Sequence, residues 1–219
     1  MQLPAFAAPL LCLAALACST LTASAQTNAF PEGTFDLGIQ TTSDPKTNGL
    51  PMGWEFVDGR TPGFPGVTFS TGTFEGSKFA RIINNNTSPD DWAEEMKAAG
   101  VSGAAVGIRA TIPIPKSRPT HVRIPARVRV PEITVGTQLS WASLRDHPIF
   151  LDAERKQIGK PRPPIFYSFT APAKEWVERE INTPIPPEAA FIQVGPAMFN
   201  ATGTIEVDDY QVFFETIIE

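Results

Sequence analysis

Two adjacent carboxylates, Asp208 and Asp209, lie near the end of the chain in the segment "GTIEVDDYQVFFE". β-Branched and aromatic residues with polar residues between them predict a strand over residues 203–215. The apolar residues change sides at the two aspartates, which predicts a β-bulge there. The neighbouring negative charges need compensation, either from a bound cation such as Ca²⁺, which prefers oxygen ligands, or from backbone N–H donors.

Aromatic rings beside polar side chains could bind a sugar, because a ring face packs on sugar C–H groups while polar groups bind the hydroxyls. Trp141, in "QLSWASLRDHP", follows a strand-like stretch and is close in sequence to Arg145. We take Trp141 and Tyr167 as the candidate ligand-binding residues. Trp54 and Trp176 are expected in the core, and a core position for Trp141 is the alternative.

A row of basic residues occurs in "THVRIPARVRV", where Arg123, Arg127 and Arg129 alternate with apolar residues. On a concave sheet face this row could bind sulfated or uronic-acid sugars, because arginine pairs with anionic groups in a bidentate manner. We favour the alternative, a solvated outer face of an antiparallel sheet.

Catalytic patterns are missing from the sequence. Glycosidases need two carboxylates on either side of the scissile bond, and none of the 23 acidic residues is singled out by spacing. The two histidines, His121 and His147, are far apart in sequence. No Gly-x-Ser-x-Gly elbow, phosphate loop or His-Glu-x-x-His motif occurs. The sequence therefore predicts a protein that is not an enzyme.

The first 25 residues carry no charged side chain, contain the apolar run "LLCLAALAC" and end in small residues at Ala25. These features predict a secretory signal peptide over residues 1–25, and the apolar run is too short for a membrane span. Cleavage would leave one domain, residues 26–219, that is secreted, periplasmic or at the cell surface. Both cysteines, Cys12 and Cys18, lie in the leader, so a disulfide scaffold is excluded.

The elements that must position these residues are mainly strands. The 22 prolines and 16 glycines separate short apolar runs along the whole chain, which predicts an all-β domain of eight or nine strands in a two-sheet antiparallel β-sandwich. One short helix is predicted after Ser88, a good N-cap followed by Pro89. Pro125 and Pro131 fit strand edges or bulges. A net charge of −5 argues against a nucleic-acid partner and anionic membranes.

Seven segments, in order from residue 33 to the end, resemble the motifs of secreted carbohydrate-binding modules with the galactose-binding-like jelly-roll fold. They are "GTFDLG", "LPMGWEF", "EGSKFARI", "RIPARVRV", "IFLDAERKQIG", "EWVEREINTPIPPEAAFIQVG" and "GTIEVDDYQVFF". The resemblance implies a jelly-roll sandwich and a polysaccharide or glycan partner.

The same resemblance implies a structural Ca²⁺ held by Asp36 and Asp208, with backbone carbonyls completing the shell. Asp36 replaces a more usual Glu at its position. Two other functions stay open beside glycan binding. One is a structural or protein-interaction jelly roll of the cell surface that binds no sugar, and the other is a glycan-active enzyme.

Overall fold

The computed structural model describes residues 27–57, 66–98, 105–159 and 163–217. The predicted signal peptide, residues 1–25, lies outside the described residues. The described part contains one 3-10 helix, Pro31–Thr34, and one α-helix, α1 (Pro89–Ala98). None of its helices has the length and apolar character that crossing a membrane requires. The strands are β1 (Glu55–Phe56), β2 (Val67–Phe74), β3 (Ser77–Asn84), β4 (Ala105–Pro113), β5 (His121–Val135), β6 (Ser143–Asp146), β7 (Ile149–Leu151), β8 (Tyr167–Phe169), β9 (Ala173–Pro184), β10 (Phe191–Val194), β11 (Pro196–Phe199), β12 (Ala201–Asp208) and β13 (Phe213–Glu215).

The strands form two antiparallel sheets. The front sheet has the order β7-β10-β4-β11-β6-β8, with β1 added to β4. Strands β10 and β11 lie on either side of Gly195 and both pair with β4 in one continuous register. Along their other edge, β10 pairs with β7 and β11 pairs with β6, again in one register. The front sheet is therefore five ribbons wide.

In the back sheet, β5 pairs along one edge with β12 and β13 and along its other edge with β9. Strand β12 also pairs with β3, and β3 pairs with β2. Strands β2 and β3 form a hairpin in which Phe74 is opposite Ser77. Its turn residues, Glu75 and Gly76, both have positive φ, 51° and 86°, as a two-residue type I′ turn requires.

Strand β5 shows why the chain forms a sandwich. Its apolar residues of one parity, from Val122 to Val130, are all buried, as the alternation predicts. Pro131 lies where the β5 and β12 registers shift, between the pairs Thr204–Glu132 and Glu206–Arg129. Such an irregularity tolerates proline because no ladder hydrogen bond is lost there.

The apolar residues of segment 33–40 suggest a strand, but the segment contains the end of the 3-10 helix and turns, because Phe35 and Gly38 take positive φ values of 61° and 93°. The prediction of a single strand near the end of the chain is also wrong. Residues 203–215 form two strands instead of one bulged strand. The break follows from Asp209, whose left-handed φ of 49° ends the extended chain after Asp208.

The predicted helix begins where expected. The Ser88 Oγ accepts the Asp91 N–H at 3.2 Å, and Pro89 occupies the first helical position. Asp90 joins the helix to the sandwich: its carboxylate accepts the Thr137 N–H at 3.0 Å and the Asn200 Nδ2 at 2.9 Å. The hydrogen bonds from Thr137 and Asn200 lower the pKa of Asp90 well below its ordinary value.

The core between the sheets brings the two ends of the described chain together. The Trp54 ring is 5.6 Å from the rings of Phe35 and Tyr210. Close by, the Tyr210 N–H donates to the Gly33 carbonyl at 3.1 Å. The predicted fold class is confirmed in the described residues, which form an all-β, two-sheet antiparallel sandwich with one short α-helix.

Candidate functional site

The outer face of the front sheet has a floor of small residues. Arg145 of β6 is paired with Ala197 of β11, and Ala197 is paired with Gly107 of β4. A Cβ added to Gly107 would lie 2.7 Å from the Ala197 Cβ, so the floor leaves no room for a larger residue. Small side chains in the middle of a sheet face leave a depression between the longer side chains around them.

Two adjoining cavities of about 370 Å³ and 440 Å³ occupy this face. Because four residues line both, the cavities form one depression, which we call the front groove. The shared residues are Arg109, Ile149, Gln157 and Gln193. The polar groups are held in place by neighbours: Arg109 Nε donates to Glu55 Oε1 at 3.0 Å, and Gln193 Nε2 donates to Thr111 Oγ1 at 3.0 Å.

Trp141 borders the front groove and is 45% exposed. Its ring lies 5.7 Å from the Phe199 ring in an edge-to-face arrangement. The Arg145 guanidinium contacts both rings, with its carbon 4.9 Å from the Trp141 centre and 4.4 Å from the Phe199 centre. Burial lowers the pKa of Arg145 below its ordinary value, although arginine keeps its charge at neutral pH. The structure thus places Trp141 at the surface, and its alternative core position is wrong.

Tyr167 does not share this face. It is 4% exposed and opposite Asp146 in the β6–β8 pairing, with its side chain in the core. Burial and the charge of Asp146 raise the pKa of Tyr167 well above 10. The exposed residue of β8 is Ser168, which pairs with Arg145. A one-residue difference in strand parity therefore removes Tyr167 from the predicted ligand-binding face.

Asp146 fixes β6 from beneath the groove. It is fully buried, and its Oδ2 accepts the Tyr210 hydroxyl at 2.6 Å. The Gly195 N–H donates to both carboxylate oxygens at 3.1 and 3.2 Å. Burial raises the pKa of Asp146 to about 6. Because Arg145 precedes Asp146 on the same strand, this buried contact positions the groove arginine.

The predicted basic row is on the outer face of the back sheet, and its charges are compensated. Arg123 Nε donates to Glu215 at 2.8 Å, and Arg129 binds the buried Glu206. Arg127 lies 3.8 Å from both Asp208 and Asp209. The row therefore belongs to an ion-pair network on the outer face.

Trp54 is in the core as predicted, with 1% exposure, whereas the core prediction for Trp176 is wrong. Trp176 is half-buried on the outer face of the back sheet, with its ring 5.6 Å from Phe74. The guanidinium carbons of Arg127 and Arg129 lie 5.4 Å and 5.1 Å from the Trp176 ring. These guanidinium groups cover the ring that the sequence pattern assigned to the core.

The two predicted calcium ligands have different environments. Asp208 is buried; its Oδ1 accepts Ser77 Oγ at 3.0 Å and the Asp209 N–H at 2.7 Å, while its Oδ2 has no hydrogen-bond donor. Burial and the Asp209 charge raise the pKa of Asp208 above its ordinary value. Asp36 is exposed. The described residues include no group of three or more His, Cys, Asp or Glu side chains that could hold a metal, so backbone carbonyls would have to supply further ligands.

A third cavity, of about 740 Å³, lies between the segments that follow β4 and β9. Its described lining contains four prolines, Pro115, Pro119, Pro186 and Pro187, and no aromatic side chain. Since sugar recognition relies on aromatic faces, the front groove is the better candidate site.

The sequence reading missed several groove residues, chiefly Phe199, Arg109 and Gln193. A signal for the last two was present, because each is a polar residue between buried apolar neighbours in β4 or β10. That alternation marks the outward face of a strand. No local pattern shows that β4 and β10 are neighbours, so the groove itself could not be assembled from the sequence.

No protein-family model matches this sequence, and the curated proteins contain no match. Among solved structures, the fold is similar to the enzymatically active domain of tailspike protein 4 of bacteriophage CBA120, with a TM-score of 0.50 and 12% identity. The match covers 74% of this chain, which spans only 19% of that chain. This likeness concerns the fold.

Two further neighbours are complete modules. The CBM22-1 xylan-binding domain from Paenibacillus barcinonensis Xyn10C has a TM-score of 0.49 and 11% identity, over 90% of this chain and 99% of that chain. A CBM4 structure has a TM-score of 0.48 and 15% identity, over 84% of this chain and 98% of that chain.

Proposed function

We propose that this protein binds a polysaccharide in the front groove. The observation that carries the proposal is Trp141, a large ring left 45% exposed beside a groove lined with amide and guanidinium groups. An exposed ring next to polar donors suits a sugar, which presents an apolar C–H face and a rim of hydroxyl groups.

Two features of the groove favour an extended ligand. With neighbouring strands about 4.8 Å apart, the five ribbons of the front sheet give a face roughly 20 Å wide. The groove also continues from Arg145 and Phe199 in one cavity to Lys46 and Arg155 in the other. Such a length fits several linked sugar residues better than one small molecule.

Binding without catalysis is the function that the groove supports best. Among the described residues, Glu55 is the one acidic residue that lines the two cavities, and it is paired with Arg109. A glycosidase needs a second carboxylate across the scissile bond. The rival function, a jelly roll that binds only protein, is less favoured because an aromatic ring stands open beside a polar groove.

The test is a pull-down with insoluble polysaccharides and affinity electrophoresis with soluble ones. The wild-type chain should bind at least one polysaccharide, and Trp141→Ala should lose that binding with an unchanged melting temperature. Trp176→Ala, on the back sheet, is the matched control and should bind normally. Failure of every polysaccharide to bind, or equal binding by Trp141→Ala, would reject the proposal.

We also propose that residues 1–25 direct export and are removed after Ala25, leaving residues 26–219 as one secreted or cell-surface domain. The uncharged, apolar leader with small residues at its end supports this proposal. N-terminal sequencing of protein recovered outside the producing cell should start at Gln26.

A calcium ion on Asp36 and Asp208 is a third proposal. It is supported by the Asp208 Oδ2, a buried carboxylate oxygen with no hydrogen-bond donor. The ion would screen the charges of Asp208 and Asp209 and would be structural, as hard oxygen ligands suit Ca²⁺.

A further inference from the structure

The front groove is basic although the chain is acidic. The described residues that line its two cavities include four cationic side chains, Lys46, Arg109, Arg145 and Arg155, and one acidic side chain, Glu55. The whole chain carries a net charge of −5. A local excess of positive charge in a concave site raises the local concentration of anions.

Arg145 is a partly buried groove cation that has no acidic partner among the described residues. Within the described residues it has no hydrogen bond or ion pair, and its Nε is buried without a hydrogen-bond partner. On the back sheet, by contrast, Arg81 and Arg129 both bind Glu206, and Arg123 binds Glu180 and Glu215. Holding a partly buried cation without an acid costs free energy, which a ligand anion would recover.

The contacts that the structure describes for the Arg145 guanidinium are with two aromatic rings and include no hydrogen bond. Its guanidinium contacts the Trp141 and Phe199 rings at 4.9 and 4.4 Å, within the range of cation–π interactions. A guanidinium that stacks on a ring keeps its N–H donors at the edge of its plane, where they suit a carboxylate or sulfate.

A second arginine–aromatic pair occurs toward the other end of the groove. The Arg155 guanidinium carbon lies 4.9 Å from the Phe191 ring, and Arg155 has no acidic partner among the described residues. Two separated guanidinium groups, each in contact with an aromatic ring, could bind a polysaccharide that carries negative charges at repeated positions.

We propose that the front groove selects an anionic polysaccharide, bearing carboxylate or sulfate groups, and that Arg145 is its principal anion contact. This inference rests on the proposed function of the groove. Trp141 would pack on the sugar ring while Arg145 binds the acidic substituent of the same or the next sugar.

Affinity electrophoresis tests the inference with four soluble polymers. Polygalacturonate supplies carboxylates, dextran sulfate supplies sulfates, and xylan and unmodified dextran are neutral comparisons. The variants are Arg145→Gln, which removes the charge and keeps much of the side chain, Arg145→Lys, which keeps the charge without the planar fork, and Arg179→Ala. Arg179 is an exposed arginine of β9 on the back sheet and controls for loss of one positive charge anywhere on the protein.

We expect an anionic polymer to bind about tenfold or more tightly than its neutral counterpart, and Arg145→Gln to remove that preference. Arg145→Lys should recover part of it, and Arg179→Ala should retain it. The preference should weaken between about 20 mM and about 300 mM NaCl, because salt screens charges. Whether polygalacturonate or dextran sulfate responds to Arg145→Gln identifies the acidic group.

Equal or tighter binding of the neutral polymers would overturn the inference and leave polysaccharide binding in place. The inference would also be overturned if Arg179→Ala lowered the preference for anionic polymers as much as Arg145→Gln does. The preference would then depend on the net charge of the protein. If none of the polymers binds, and the wider pull-down panel also fails, polysaccharide binding itself is rejected. Melting temperatures of all variants check that each is folded.

Discussion

The Tyr210 hydroxyl donates a 2.6 Å hydrogen bond to the buried carboxylate of Asp146. This contact joins the segment between the last two strands of the back sheet to the strand of the front sheet that carries Arg145. The candidate site on the outer face therefore depends on a polar contact inside the sandwich, where an unpaired charge would be costly.

Asp146 should make the stability of the protein depend on pH. Its pKa is about 6 in the folded protein against an ordinary 3.8, so the folded state holds the proton more tightly. The resulting stabilisation is fully present below pH 3.8 and is lost as the pH rises to about 6, with a total of about 3 kcal/mol. Urea unfolding should therefore show Asp146→Asn gaining stability relative to wild type between pH 4 and pH 7.

The exposed Asp91, whose side chain makes no described contact, provides the control. Asp91→Asn should leave the pH dependence unchanged. If the unfolding free energies of wild type and Asp146→Asn differ by the same amount at pH 4 and at pH 7, Asp146 does not titrate in this range.

Replacing Glu206 by Gln should destabilise the back sheet. Glu206 is 1% exposed and binds two arginines, Arg81 at 2.6 Å and Arg129. The change would leave two partly buried cations without an anion, at a cost of about 2 kcal/mol after allowance for the solvent exposure of the arginines. Urea unfolding of Glu206→Gln measures this cost, and Glu178→Gln, an exposed change on β9, should alter the unfolding free energy by less than about 0.5 kcal/mol. Equal effects of the two changes would contradict the network.

Gly33→Ala tests the meeting of the two chain ends. A Cβ at Gly33 would lie 1.8 Å from the Tyr210 carbonyl oxygen. The backbone would have to move and the Tyr210–Gly33 hydrogen bond would weaken, so we expect a loss of about 3 kcal/mol. Gly159→Ala is the matched control because nothing lies within 4 Å of its added Cβ. A Gly33→Ala protein as stable as the control would mean that the ends do not meet there.

Calcium binding predicts a rise in melting temperature when Ca²⁺ is added to chelator-treated protein, because a ligand of the native state stabilises it. The rise should be abolished in Asp208→Asn and reduced in Asp36→Asn. Mg²⁺ at the same concentration should have a smaller effect, since it favours a tighter octahedral shell. An unchanged melting temperature in wild type would remove the calcium proposal and leave the Ser77 hydroxyl, the Asp209 backbone N–H and the Arg127 guanidinium as the groups that compensate the Asp208 charge.

Parts of this structure could be predicted because they depend on local patterns. The alternation in β5, the turn at Glu75 and Gly76, and the Ser88 cap each follow from neighbouring residues. The segment 33–40 could not be predicted in this way. Its apolar residues suggest a strand, yet Phe35 stacks on Trp54 and takes the left-handed region, and Gly33 accepts the Tyr210 N–H, so tertiary contacts override the local preference.

The site was predictable only in part for a similar reason. Trp141 could be singled out because it stands among polar residues near a strand end. The sequence could not show that Tyr167 is buried while Trp141 is exposed, because burial depends on strand parity and on which strand lies opposite. The position of Phe199 beside Trp141 depends on the pairing of β6 with β11, more than 50 residues apart, and no local pattern specifies such a pairing.

Two-dimensional NMR of the indole N–H groups tests the central proposal most directly, because the four tryptophans occupy distinct environments. Trp54 and Trp92 are buried, Trp176 lies on the back sheet, and Trp141 borders the front groove. On titration with a soluble oligogalacturonide, or with a neutral xylo-oligosaccharide if only neutral polymers bind, the Trp141 signal should shift progressively and the other three should stay in place. A shift of the Trp176 signal without one at Trp141 would contradict binding at the front groove.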